Sequence, residues 1–310
     1  MESYAEAFDY GFSQYKEEMY NEIPKEYSQY MREESTTRPY EKRGYLSGLG
    51  LPKRNRDGQP LPWSEPIKGP NAIFVPVTYR LAYQIDRQSV EDELWGLLAS
   101  RPKSMLYGSV IIKDLVASDI LNNGLTAQTY DLAKAGQVST PLFGTAHLRE
   151  DGGGTWSNLI NTAQPITAET VFTAVSSLLT LLSDSRGLPI AYTGPVNIYV
   201  PMSNPDLWEQ AVSVVNSVFN PDTADNRINA VKQVFSLNVV PLRYLTNPDV
   251  WFVGWAPGSG NYGLTLLNRV EPEISPLKPF GDNEDVWYSR LRMRFTAGYE
   301  NRRGIGAIGA

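Results

Sequence analysis

The chain has no cysteine and one histidine among its 310 residues. The first absence excludes a disulfide framework, thiolate zinc sites, iron–sulfur clusters and thiol nucleophiles, and it fits a reducing compartment. The second removes metal motifs that need two imidazoles. No apolar run approaches the roughly 20 residues of a membrane helix; the longest, Val171–Leu182, is interrupted by Thr and Ser. The opening residues, MESYAEAFDYGF, have neither the basic nor the apolar region of a secretory leader. Basic excess is missing too. The formal charge is −6, against the basic face usual in a sequence-reading nucleic-acid binder.

What is present is aromatic and unevenly charged: 18 Tyr, 10 Phe and 7 Trp. Residues 1–34 hold nine acidic and three basic side chains, so the whole −6 sits there. Residues 38–58 hold Arg38, Lys42, Arg43, Lys53, Arg54 and Arg56 against Glu41 and Asp57, a local +4. Within the acidic segment, Tyr4, Phe8, Phe12, Tyr15, Met19, Ile23, Tyr27 and Tyr30 recur at steps of three and four. That spacing predicts one helix face, split by Pro24 into two helices. Two readings of the stripe stay open: a helix packed on its own domain, or an arm docked on a neighbouring subunit. The length is at the upper limit of a single core, so two lobes or long extensions are expected.

Residues 35–72 show no lasting period, are rich in Pro and Gly, and carry apolar anchors such as Tyr40, Leu49, Leu61 and Trp63. A segment of this kind fits a projection that orders against a partner better than a flexible tether. Residues 72–86 read as one strand, rich in Val, Ile, Tyr and Phe. Ser89–Ser100 reads as a helix, and Pro102 as the start of a longer one that stops at Asn122-Asn123-Gly124. Further helices are predicted over 167–183, with Thr167 as N-cap, and over 204–219, opening on Pro205. Residues 230–235 are a shorter candidate. Strands are predicted over 196–201, 238–241, 251–255, 264–269 and 289–297. The tail, GYENRRGIGAIGA, reads as small and flexible. Strands and helices interleave irregularly and no long repeat occurs, which indicates an α+β fold.

Catalytic patterns fail one by one. His147 has no G-x-S-x-G elbow to serve. Gly152-Gly153-Gly154-Thr155 lacks the lysine of a phosphate loop, and Gly258-Ser259-Gly260 lacks the third glycine of a dinucleotide fingerprint. Both are read as tight surface turns. Glu91, Asp92 and Glu93 are explained by a helix start, and EF-hand spacing is absent. The reading is a non-enzyme with no catalytic, metal or cofactor-binding residues and no cofactor.

Five strings in order carry a resemblance. They are KSMLYGSVIIKDLVASDILNN (103–123), LFGTAHLREDGGGTWSN (142–158), the RGLPI…VP stretch (186–201), LTNPDVWF (245–252) and SRLRMRFTAGYENRRG (289–304). The chain resembles the major capsid proteins of tailed bacteriophages with the Hong Kong 97-type fold, and within them the Mu-like major head subunit branch. The resemblance implies an N-terminal arm (1–37) and an extended loop (38–86). It implies a peripheral domain (87–186 and 263–310) with its spine helix at 103–123, and an axial domain (187–262). It further implies self-assembly, as pentamers and hexamers, into an icosahedral shell around double-stranded DNA held by non-specific enclosure. Assembly in the host bacterial cytoplasm is implied, as is residence in the virion capsid, with no membrane. Scaffold, portal and decoration proteins are the further candidate partners. Arm and loop would overlap neighbouring subunits, with opposite charges steering them. The candidate assembly contacts are Tyr4, Phe8, Phe12, Tyr15, Arg43, Arg54, Arg56 and Trp63. Lys42, Lys53 and Lys68 lie in or near the loop, and no covalent cross-link is expected from them. The alternatives are an encapsulin-like compartment of the same fold and, from another class, a soluble two-domain enzyme or glycan-binding protein.

Overall fold

Helical backbone at residues 20–22 stops before Pro24, and a single 3₁₀ turn at Glu26–Gln29 leads into strand β1 (Met31–Ser35). The computed structural model describes residues 20–310 except 48, 56–57, 93–96, 127–130, 133–140, 161–163, 181–183, 189–191, 193, 219–227, 258–262, 281–282 and 310. The expected second helix after Pro24 is therefore corrected. Tyr27 and Tyr30 are buried from a turn, and the next residues pair with another strand. Tyr4, Phe8, Phe12 and Tyr15 lie outside the described residues.

The segment read as irregular contains a hairpin, β2 (Glu41–Leu46) with β3 (Lys68–Phe74). The strand read over 72–86 is two strands. Pro76, which has no N–H to donate, separates β3 from β4 (Val77–Asp86). A short helix α1 (Arg87–Glu91) precedes the long helix α2 (Leu97–Asn122), which runs through Pro102 instead of beginning there. Its buried residues Leu106, Val110, Lys113, Ala117 and Ile120 fall at steps of four and three, one stripe facing the core.

Short strands follow: β5 (Asp131–Leu132), β6 (His147–Leu148), β7 (Thr155–Trp156) and β8 (Leu159–Ile160). Helix α3 (Ala168–Thr180) begins after Thr167, whose hydroxyl accepts the Thr170 N–H at 3.1 Å. Then come β9 (Val196–Pro201), α4 (Pro205–Asn216), α5 (Ala230–Val234), β10 (Leu237–Leu242) and β11 (Trp251–Trp255). The Asn204 side chain caps α4 by accepting the Leu207 N–H at 3.3 Å. The chain closes with β12 (Gly263–Ile274), β13 (Lys278–Phe280), β14 (Asn283–Asn301) and β15 (Ile305–Ile308).

Two sheets carry the fold. In the first, β1 runs parallel to β12, β12 antiparallel to β14, and the N-terminal half of β14 is flanked by β4 and β13. In the second, the order is β10-β9-β11-β15-β8. This second sheet is apolar on both faces, which is why VNIYVP is buried along its whole length. Val196, Ile198, Val200, Trp251 and Val253 pack outward with α3 and α4; Tyr199 and Phe252 point the other way, toward α2.

The tail corrects the sequence reading most sharply. Ile305–Ile308 is an interior strand between β11 and β8, and Ile305, Ala307 and Ile308 are buried. Its small residues serve close approach: a Cβ on Gly306 would stand 3.2 Å from the Asn158 carbonyl oxygen. Among the described residues no helix is long and apolar enough to cross a membrane.

Candidate assembly surfaces

Residues 20–35 are bolted to α2. Asp114 accepts the Tyr27 N–H at 2.9 Å, and the Tyr30 hydroxyl lies 3.1 Å from Ser118 Oγ. Lys113, fully buried, donates to the Tyr20 hydroxyl at 2.9 Å and to Glu271 at 3.1 Å, with Glu33 at 3.8 Å. Burial pushes the Lys113 amine below its ordinary range, opposed by Glu271 and Glu33. Asp114 moves the other way: burial, with Glu26 beside it, pushes its carboxyl up to about 6. Glu26 is also pushed up by burial, although its carboxylate accepts the Arg243 N–H at 2.8 Å.

The root of the projecting hairpin is held by Arg43. Its guanidinium reaches Glu34 at 2.6 Å, Glu41 at 2.7 Å and Glu300 at 2.6 Å, joining β1, β2 and β14. Burial alone would lower the Arg43 pKa; these carboxylates hold it above the ordinary value. Beyond the root, Ser47 and Ile67 exchange hydrogen bonds of 2.9 and 2.8 Å across the loop, and Arg186 reaches the Glu65 carbonyl. The loop then presents its apolar side chains to solvent. Leu46 is 66% exposed, Leu49 61%, Leu51 72%, Leu61 69% and Trp63 90%.

A third constellation is internal. His147 Nε2 lies 2.9 Å from Asn158 Oδ1, which also accepts the Gly144 N–H at 3.0 Å. The Asn158 amide donates to the Leu142 carbonyl at 2.9 Å and to the Ile305 carbonyl at 3.2 Å. The Trp156 ring lies tilted against His147 (4.5 Å) and beneath the Arg303 guanidinium (4.7 Å), and Arg303 takes Glu150 with both amino groups, at 3.0 and 3.2 Å. Burial depresses the His147 pKa, and the hydrogen bond to Asn158 opposes the shift. This is a joint tying β6–β8 to the C-terminal strand. Gly152 and Gly154, at φ 75 and 145, make the turn of the β6–β7 hairpin. Among the described residues no group of three His, Asp or Glu side chains is placed to hold a metal.

Of the contacts named from sequence, the structure places Arg43 in a carboxylate cluster of its own chain. It leaves Arg54 and Trp63 exposed on the loop. Arg56 and the four aromatics of residues 4–15 lie outside the described residues. Sequence reasoning missed Lys113, Asp114, Glu150 and Arg303. For the first two a signal existed: a charged pair on the apolar stripe of the longest helix.

A model of the phage capsid protein family matches residues 72–308. The chain belongs to the phage capsid protein family. No curated protein matches this capsid protein by sequence. Solved structures match it in fold. The capsid of Ralstonia phage GP4 is similar at TM-score 0.58 and 9% identity, over 93% of this chain and 91% of that one. The capsid of a native GTA particle gives 0.56 and 10%, over 93% and 92%. The capsid of cyanophage P-SCSP1u gives 0.54 and 9%, over 90% and 86%. The capsid protein thus has the α+β Hong Kong 97-type fold.

Proposed function

We propose that this capsid protein is the major head subunit of a tailed bacteriophage, of the Mu-like branch. Many copies, as pentamers and hexamers, close an icosahedral shell around double-stranded DNA. Assembly takes place in the host bacterial cytoplasm and involves no enzymatic step by this chain. Residues 1–37 act as the arm, 38–86 as the loop, 87–186 with 263–310 as the peripheral domain and 187–262 as the axial domain. Scaffold, portal and decoration proteins are candidate partners, and the DNA is held by enclosure through non-specific contacts.

The observation that carries the reading is the loop from Leu46 to Trp63. Five large apolar side chains are exposed on a segment whose root is fixed by three carboxylates around Arg43. Each such side chain, once buried, stabilises by about 1.5–3 kcal/mol, which a neighbouring copy supplies and the single chain does not. Negative-stain microscopy of the purified full chain tests the proposal. Closed particles or ring-shaped capsomers are expected, with nucleic acid in particles made in the presence of DNA. A small ordinary oligomer at every concentration refutes it, and particles filled with a co-purifying enzyme would point to a compartment shell instead.

A further inference from the structure

The first sheet has one face on helix α2 and one that the chain leaves partly open. Leu291, Met293 and Phe295 of β14 are buried toward α2, so the alternate residues Arg290, Arg292 and Arg294 point to the other face. The antiparallel register sets Arg80 of β4 directly opposite Arg292, and Ala82 opposite Arg290. Phe74 of β3 covers the far end of this face, where a Cβ on Gly298 would meet its ring at 2.9 Å. Arg80, Arg290 and Arg292 stay exposed and, with Leu81, Ala82 and Leu291, line an open cleft of ≈ 530 Å³.

Charge on this face is unbalanced. Glu273 stands 3.8 Å from Arg292, and neither Arg80 nor Arg290 has an ion pair among the described residues. Like charges directly opposite on antiparallel strands destabilise the pair. The isolated subunit gains nothing from setting Arg80 against Arg292; an anionic partner would.

We propose that this arginine face receives the acidic segment of residues 2–18 from a second copy of the chain. The inference rests on the reading of the protein as a shell subunit, and it names the surface on which the arm docks. Residues 2–18 carry Glu2, Glu6, Asp9, Glu17 and Glu18 against Lys16. Of the acids that follow, Glu22 is exposed, while three are already engaged: Glu26 by the Arg243 backbone, Glu33 by Tyr27 and Lys113, Glu34 by Arg32 and Arg43. Part of the basic loop is already engaged, since Arg43 is held by three carboxylates. Val77 and Leu81 of β4 stand opposite Phe295 and Leu291, on the other side of the sheet, so the arginine face offers this segment its charge and the small Ala82 side chain.

The test uses the full chain with Arg80→Glu and Arg290→Glu together. Both positions are exposed, so subunit melting is expected to stay at the wild-type value. Particle yield is expected to fall by roughly tenfold or more, since like charges brought together oppose association. Adding Glu6→Arg and Asp9→Arg to the same chain restores the yield, whereas those two alone impair it. Equal particle yields from the wild type and the Arg80/Arg290 variant overturn the proposal alone, as does failure of the charge swap to rescue. Unchanged assembly with loss of retained DNA overturns it too and assigns the face to phosphate. A wild-type chain that forms no particles overturns the shell reading and this proposal with it.

Discussion

Asp114 sits where the N-terminal segment meets helix α2, and its protonation sets the strength of that joint. Its carboxylate is buried and accepts the Tyr27 N–H, with Glu26, Arg243, Tyr30, Tyr244 and Lys113 around it. Burial raises its pKa from 3.8 to about 6, Glu26 adds to the rise, and the backbone donors and Arg243 oppose it. A raised carboxylate binds its proton more tightly in the folded state than in the unfolded one. Its contribution to stability is therefore fully present below pH 3.8 and is lost as pH climbs through about 6. At about 1.4 kcal/mol per pKa unit, the loss is on the order of 2–3 kcal/mol. Asp114→Asn keeps an oxygen for the Tyr27 N–H and removes the titration. Urea unfolding of the unassembled subunit, followed by tryptophan fluorescence at about pH 4 and pH 8, reads the difference. The wild type is expected to lose about 2–3 kcal/mol relative to the variant between those two pH values, roughly 1 M in urea midpoint for a slope near 3 kcal/mol per M. Glu26 titrates in both proteins and largely cancels in the comparison. Parallel stability profiles for the two proteins would refute the assignment of a burial-raised carboxylate at this joint.

The C-terminal joint and the loop tip give opposite expectations. Arg303→Gln removes a guanidinium that is 1% exposed, together with its paired bonds to Glu150, at a cost of about 3–5 kcal/mol. The subunit should melt roughly 6 °C or more lower, and a change below about 1 kcal/mol would show that Glu150 finds other partners. Trp63→Ala, at a side chain 90% exposed, should leave subunit stability within about 0.5 kcal/mol. The concentration needed for assembly should rise about tenfold or more. Assembly at the wild-type concentration would place Trp63 outside every contact.

The most legible elements were those with local causes. Strands β9 and β11 were read over the residues they occupy, because short apolar runs bounded by turn residues allow little else. The starts of α3 and α4 follow from Thr167 and from Asn204 with Pro205, whose side chains bond the first turns. What failed depended on distant partners. Residues 31–35 take strand form because β12 offers them a parallel ladder, so the three- and four-residue spacing of their neighbours was no guide. The tail was read as flexible because glycine and alanine are ambiguous by themselves. Wedged between β11 and β8, with a backbone carbonyl 3.2 Å from any added Cβ at Gly306, the same residues are a packing requirement.

The same distinction separates recognising the family from knowing its contacts. The strings that carried the resemblance fold into joints. Asn122 donates to the Tyr244 carbonyl at 2.9 Å and accepts the Thr246 N–H at 3.0 Å; Asn158 and Arg303 tie distant segments in the same way. At such points the residue type is set by geometry inside one subunit, so it leaves a mark in the sequence that can be read without a partner. The exposed loop and the acidic segment lie within residues 1–71, before the family match begins at residue 72. On the proposed function, their residue types answer to a second copy of the chain. A single sequence supplies only composition there, a −6 and a +4. The structure changes how those charges add up: Arg43, Glu33 and Glu34 are engaged within the subunit, and the Arg80/Arg290/Arg292 face adds a cluster of cations that the count along the loop does not show. Charge counted along a chain therefore names the complementary pieces but not their pairing. That depends on which charges the fold has already used.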